Sequence, residues 1–172
     1  MKRGFLVGLL AVCIASTSVC AADMKLGYID MQRALNGSDA GKVAKEQLAA
    51  KVKKYQEEIN VKQEELKKLK EELEKQAALL SDSARSTREK EYQNKLKDFQ
   101  RFTKDAQEEL QGKDEELTRK ILEGMEKVIK EYGSQQGYTF IFVKNEGMLY
   151  VNESADLTEE VLKLYNSSSR KK

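Results

Sequence analysis

Apolar residues recur along the middle of this chain at steps of three and four. From Leu48 they fall at Val52, Tyr55, Ile59, Leu66, Leu69, Leu73 and Leu80, with Lys62 and Gln76 at the skipped places. A second run follows at Tyr92, Leu96, Phe99, Thr103, Ala106, Leu110, Lys113 and Leu117. A period of 3.5 sustained over this length predicts helices that supercoil against each other. The stretch from Asp39 to Tyr132 contains no proline, and at helical rise each half would reach roughly 60–75 Å. A compact domain has no room for such a rod, so two arms must project from a smaller body. Ser81-Asp82-Ser83 lies between the runs and carries residues that reverse a chain. It is read as the tip of a hairpin whose short connection makes the arms antiparallel neighbours. Ser86-Thr87-Arg88-Glu89 matches a capping box, with Ser81 and Ser83 as rival caps.

After Leu117 the apolar steps change to 4, 4, 3, 4 through Ile121, Met125, Val128 and Tyr132. Two consecutive fours form a stutter that locally unwinds a coiled coil, so here the arm should leave its partner and pack on the body. Gly112 and Gly124 sit inside this helix, each costing about 1 kcal/mol relative to alanine.

The flanks read differently. Lys25 to Asp30 is a short strand candidate, with Leu26 and Tyr28 on one face and Gly27 and Ile29 on the other. A turn or short helix over Met31 to Leu35 ends at Asn36-Gly37, and Ser38 or Asp39 can cap the first arm. Beyond Gly133, Thr139 to Val143 is the most apolar run after the leader and predicts a buried strand. Lys144 to Gly147 reads as a hairpin turn, Met148 to Val151 as a further strand, and Thr158 as the cap of a last helix. The expected fold is α+β and mostly α: a small β body formed by residues 22–38 and 133–166, carrying a long helical hairpin over 39–132. Residues 167–172 are expected to be a disordered tail.

Met1 to about Ala21 reads as a secretory signal. Lys2 and Arg3 precede an apolar run from Phe5 to Ile14, and small residues lead to a cut before Ala22. Lipidation at Cys20 is the rival reading, and Val19 is a poor residue to precede a lipidated cysteine. Release would place the protein outside the cytoplasm, where ATP is not available.

Composition narrows the chemistry. The only cysteines are Cys13 and Cys20, both in the leader, and there is no histidine. The commonest general base and metal ligand is therefore missing. No phosphate loop, nucleophile elbow or metal-spaced His/Cys set occurs, so neither an enzyme nor a cofactor is expected. The carboxylate pairs alternate with lysines at helical spacing and read as a solvated surface. Net charge is +2, from 31 basic and 29 acidic residues. Without Lys2 and Arg3 the balance is zero, which argues against nucleic acid as a partner. The core left for the body is small, so an oligomer is expected.

The opening Lys25-Leu26-Gly27-Tyr28-Ile29-Asp30-Met31, the charged hairpin, Phe140 to Val143, Met148 to Val151 and Asp156-Leu157-Thr158-Glu159-Glu160-Val161-Leu162 together resemble the Skp/OmpH family of periplasmic chaperones. The resemblance spans nearly the whole chain after the leader. It implies a homotrimer with a β assembly core, and three hairpins that hold unfolded outer-membrane β-barrel proteins in a cavity without ATP. The body interface would draw on Leu26, Tyr28, Ile29, Phe140, Phe142, Leu149 and Val151. Client contacts are expected to be distributed, with Phe99, Phe102 and Met125 as candidates; Phe102 lies off the seam between Arg101 and Lys104, and reads either as facing a client or as part of a slightly wide seam. The family's type member is strongly basic and is thought to attract acidic clients, lipopolysaccharide and anionic lipid. The neutral balance here counts against those electrostatic roles. A structural spacer that binds a folded partner is the alternative reading.

Overall fold

The computed structural model describes residues 24–76 and 80–169. The expected signal segment, residues 77–79 and residues 170–172 of the expected tail lie outside the described residues. Strand β1 (Leu26–Ile29) leads into the short helix α1 (Met31–Gly37). The long helices α2 (Asp39–Gln76) and α3 (Asp82–Gln135) form the hairpin. Strand β2 (Phe140–Val143), a 3-10 turn at Glu153–Ala155 and helix α4 (Thr158–Ser169) complete the chain. At helical rise the arms measure about 57 Å and 81 Å.

Local chemistry explains the boundaries. Asp30 caps α1 by accepting from the Arg33 N–H at 2.9 Å. Ser38, fully buried, donates to the Leu35 carbonyl and accepts from the Gly41 N–H, so one hydroxyl ends α1 and begins α2. Ser81, rather than a residue of the Ser86–Glu89 box, caps α3 by accepting from the Ala84 N–H. Gly137 takes a left-handed φ of 69° just after α3, as a helix terminator does.

The hairpin returns the chain beside its start, and β1 and β2 pair. They pair in parallel, with Leu26 opposite Phe140 and Ile29 opposite Val143. Parallel strands need a long crossover, and the whole α1–α2–α3 segment is that crossover. On the other side of β1, Tyr28 bridges to Asp156, and its carbonyl accepts the Leu157 N–H at 2.9 Å.

Three expectations are corrected. The strand over Thr139 to Val143 forms but is not buried: Phe140, Phe142 and Val143 stay about half exposed, because the two-stranded sheet is not covered on its outer face within this chain. Met148 to Val151 is not a strand: the chain from Asn145 to Gly147 is a local turn held by the Asn145 side chain, and residues 148–151 leave it without a ladder partner in this chain. The tail does not begin at residue 167. Helix α4 runs through Ser169, with the Ser167 and Ser168 hydroxyls donating to carbonyls one turn back.

The core sits where the arms meet the sheet. Ile121, Met125 and Val128 of α3 pack with Ile29, Ala34, Leu157, Val161 and Tyr165. These are the residues of the stutter, and they face the body core, to which α2 adds only Ala40 and Ala44 at its root. Gly124 lies in the same contact: a Cβ there would stand 2.8 Å from the Tyr165 ring. Its role is close approach of α3 and α4.

A polar latch closes the body. Asp156 accepts from the Thr158 N–H at 2.9 Å, from the Thr158 hydroxyl, and from Arg33 at 2.8 Å. The Thr158 hydroxyl oxygen in turn accepts from the Asp30 N–H. Burial pushes the Asp156 carboxyl up, but the Thr158 and Arg33 hydrogen bonds outweigh it and hold the group below its usual range. A carboxylate with a depressed folded pKa contributes stability above its unfolded pKa and loses it as pH falls through the folded value. The melting temperature should therefore fall as pH drops below about 4. An Asp156→Asn variant, scanned over the same range, should show a shallower slope and a lower plateau at neutral pH.

Candidate functional site

Two surfaces stand out. The first is the outer face of the sheet. Leu26, Phe140 and Phe142 alternate onto it and remain 47%, 53% and 48% exposed. The Phe140 and Phe142 rings stack with centroids 5.9 Å apart. Beside them the irregular segment carries Leu149 and Tyr150, exposed to 97% and 85%. The outer edge of β2 has no strand partner among the described residues. Large apolar side chains together with unpaired strand hydrogen-bonding groups form a surface that isolated soluble proteins avoid.

The proposed body residues thus divide. Tyr28 and Ile29 are already buried within the chain, at 5% and 1% exposure, and Val151 is half-buried. Leu26, Phe140, Phe142 and Leu149 are the exposed ones.

The second surface is the hairpin. Its seam is thin: Leu66 and Ala106 are buried, while most other seam residues are half-buried. Polar contacts supplement it. Glu109 accepts from both Lys51 and the Tyr55 hydroxyl across the arms. The Lys51 hydrogen bond first, then that of Tyr55, hold its carboxyl below the usual range. Glu116, between Lys120 and Lys113, is lowered to about 2. Both carboxyls are thus shifted toward the charged form by their cationic neighbours.

The three candidate client residues are not brought together. Phe102 packs edge-on against Tyr55 with centroids 6.0 Å apart, and the Lys62 ammonium lies 4.9 Å over its ring. It belongs to a widened seam rather than to the outer surface, because its side chain turns toward α2. Phe99 is half-buried and lines a small groove with Leu66 and Lys62. Met125 is fully buried in the body core and offers nothing to a client.

The match to known proteins is specific to this architecture. A family model described as "Outer membrane protein (OmpH-like)" matches residues 25–165, from the opening strand into α4. The chain belongs to the OmpH-like family. That is a family of periplasmic chaperones, not of enzymes. A crystal structure of an OmpH-like protein from Caulobacter crescentus, described there as an outer membrane chaperone, shares the fold. Its TM-score is 0.77 at 16% identity, with 84% of this chain and 85% of that one covered. No curated protein matches.

For an OmpH-like chain the latch of Arg33, Asp156 and Thr158 is a part that sequence reasoning missed. The sequence marks Thr158 only as a helix cap. The available signal was the Asp156-Leu157-Thr158 spacing, in which an Asp two residues before a Thr forms its own turn. Among the described residues no helix is long and apolar enough to cross a membrane, and no group of three or more His, Cys, Asp or Glu could hold a metal ion.

Proposed function

We propose that this chain is an ATP-independent periplasmic holdase for unfolded outer-membrane proteins, acting as a homotrimer after removal of its signal segment. The observation that carries the reading is the pairing of an exposed apolar sheet face with a long, thinly packed, solvated hairpin. The sheet face, with Leu26, Phe140, Phe142 and Leu149, suits burial against further copies, and the open β2 edge suits a strand from a neighbour. Three hairpins projecting from one assembled body would enclose a space wide enough for a polypeptide. An arm with a thin seam yields at low cost, which suits a loose grip and easy release.

The test is the absolute mass of residues 22–172 by light scattering after size exclusion. It is measured alone and after mixing with an outer-membrane barrel protein diluted from urea. Three chain masses alone, with one client gained and kept soluble, are expected. A monomer beside a precipitating client would overturn the reading and favour a structural spacer.

A further inference from the structure

The chain is electrically neutral once the leader is set aside, but the hairpin is not uniform around its axis. Label the seven-residue repeat so that Val52, Ile59 and Leu66 of α2, and Leu96, Thr103 and Leu110 of α3, take position a. Tyr55 and Lys62, with Phe99 and Ala106, then take d. The observed cross-arm contacts fix which side is which. Lys51 meets Glu109, both at g, and Tyr55 and Lys62 meet Phe102, also at g. One side of the hairpin therefore carries the g positions of both arms, and the e positions, flanked by b, share the opposite side.

That opposite side bears no carboxylate through the middle of the hairpin. In α2 it reads Lys53, Gln56, Asn60, Gln63, Lys67, Lys70; in α3 it reads Lys90, Gln93, Lys97, Gln100, Lys104, Gln107. All are exposed. The acidic residues of the same stretches fall at c, f and g: Glu57, Glu58, Glu64 and Glu65 in α2, and Glu91, Asp98 and Asp105 in α3. Two of the six lysines make ion pairs, Lys70 with Glu74 and Lys104 with Glu108. Lys53, Lys67, Lys90 and Lys97 form none among the described residues. At the root end the same side opens into a groove of about 550 Å³, floored by Leu48, Ala49 and Val52 and rimmed by Lys45 and Lys53, with Glu57 at its outer corner.

We infer that this lysine-and-amide side is the face of the hairpin that grips the client, and that its occupant is an extended polypeptide mixing acidic with apolar side chains. The inference rests on the chaperone reading and specifies its site. Uncompensated lysines complement carboxylates. Gln and Asn side chains each offer donors and an acceptor, so they can pair with the exposed peptide groups of an unfolded chain. The apolar groove accepts one or two large side chains. The stretch from Lys53 to Lys70 is about 26 Å long, which suits a run of about eight extended residues. The side that carries the g positions is poorly suited, because its lysines and carboxylates already neutralise each other, as in Lys51–Glu109 and Lys54–Glu58.

Two triple variants of the full mature protein test this. One is Lys53→Gln, Lys67→Gln, Lys97→Gln, on the proposed face. The other is Lys54→Gln, Lys68→Gln, Lys75→Gln, away from it. Both change net charge equally, and far-ultraviolet circular dichroism checks the helices. Binding of an acidic barrel protein diluted from urea is measured at low and at 0.5 M salt. The face variant should bind about tenfold more weakly at low salt and lose most of its salt dependence, while the control stays within about twofold. Equal effects from both variants would mean that only net charge matters and would overturn the assignment. So would unchanged client binding with loss of affinity for phosphatidylglycerol vesicles, which would give the face to a membrane. If the wild-type protein binds no client, the chaperone reading itself fails.

Discussion

Replacing Phe140 and Phe142 together by aspartate is expected to leave a folded monomer. Both rings stand on the outer face of the sheet, about half exposed and stacked on each other. Neither belongs to the core built on Ile29, Met125 and Val161, so the body keeps its packing. In the proposed trimer each ring would become buried, which is worth about 2 kcal/mol per side chain and is repeated in every copy. An aspartate in the same place must either shed its hydration or hold the copies apart. Light scattering at micromolar concentration should give one chain mass instead of three, with the helical signal retained. Client protection should fall with the mass, since a lone hairpin encloses nothing. A variant that remains trimeric would show that the copies meet through another surface. An Ile141→Asp variant, by contrast, should lose the fold itself, because Ile141 packs inward against the core.

The same substitution, glycine to alanine, should have opposite signs at two places in the hairpin. At Gly41 a Cβ would stand 2.0 Å from the Leu35 carbonyl oxygen and 2.9 Å from the Ser38 hydroxyl. The obstacle at Leu35 is backbone, which cannot rotate away, so the α1–α2 corner must open and Ser38 must give up one of its two hydrogen bonds. A loss of about 3 kcal/mol follows, or roughly 6–12 °C in melting temperature for a domain of this size. At Gly112 nothing lies within 4 Å of the added atom. Alanine there should stabilise by up to about 1 kcal/mol through helix propensity alone. Thermal melts of the two variants, followed at 222 nm, check both. Similar shifts at the two sites would refute the tight α1–α2 corner.

Much of the fold was legible because its signals are local and periodic. The 3.5-residue spacing from Leu48 to Leu117 predicts an antiparallel pair of long helices from the sequence alone, and the serines at 38 and 81 mark where helices begin. The change of step at Ile121 and Met125 signals a change of packing partner. It does not convert into the right role for Met125, which the sequence suggests as a client contact and the structure places at the centre of the core. A list of steps says that a residue leaves one seam without saying which surface receives it. Phe102 leaves two readings open, and the structure selects the wide seam. It is off the ideal seam, yet aromatic width carries it to Tyr55 across the arms.

The apolar periodicity, the caps, the neutral charge balance and the absence of histidine needed only the chain order, because each depends on neighbours within a turn or two or on composition alone. The tertiary structure alone decided that β1 pairs with β2 in parallel, that Met148 to Val151 finds no strand partner within the chain, and that Asp156 locks Arg33 and Thr158. Each of these joins or separates segments on either side of the hairpin. Pairing across that distance depends on register and on the path of the intervening helices, and no local propensity encodes either one. The two-sided charge of the hairpin belongs to both levels: the heptad places the lysines and amides, and the Lys51–Glu109 contact decides which side of the pair they share.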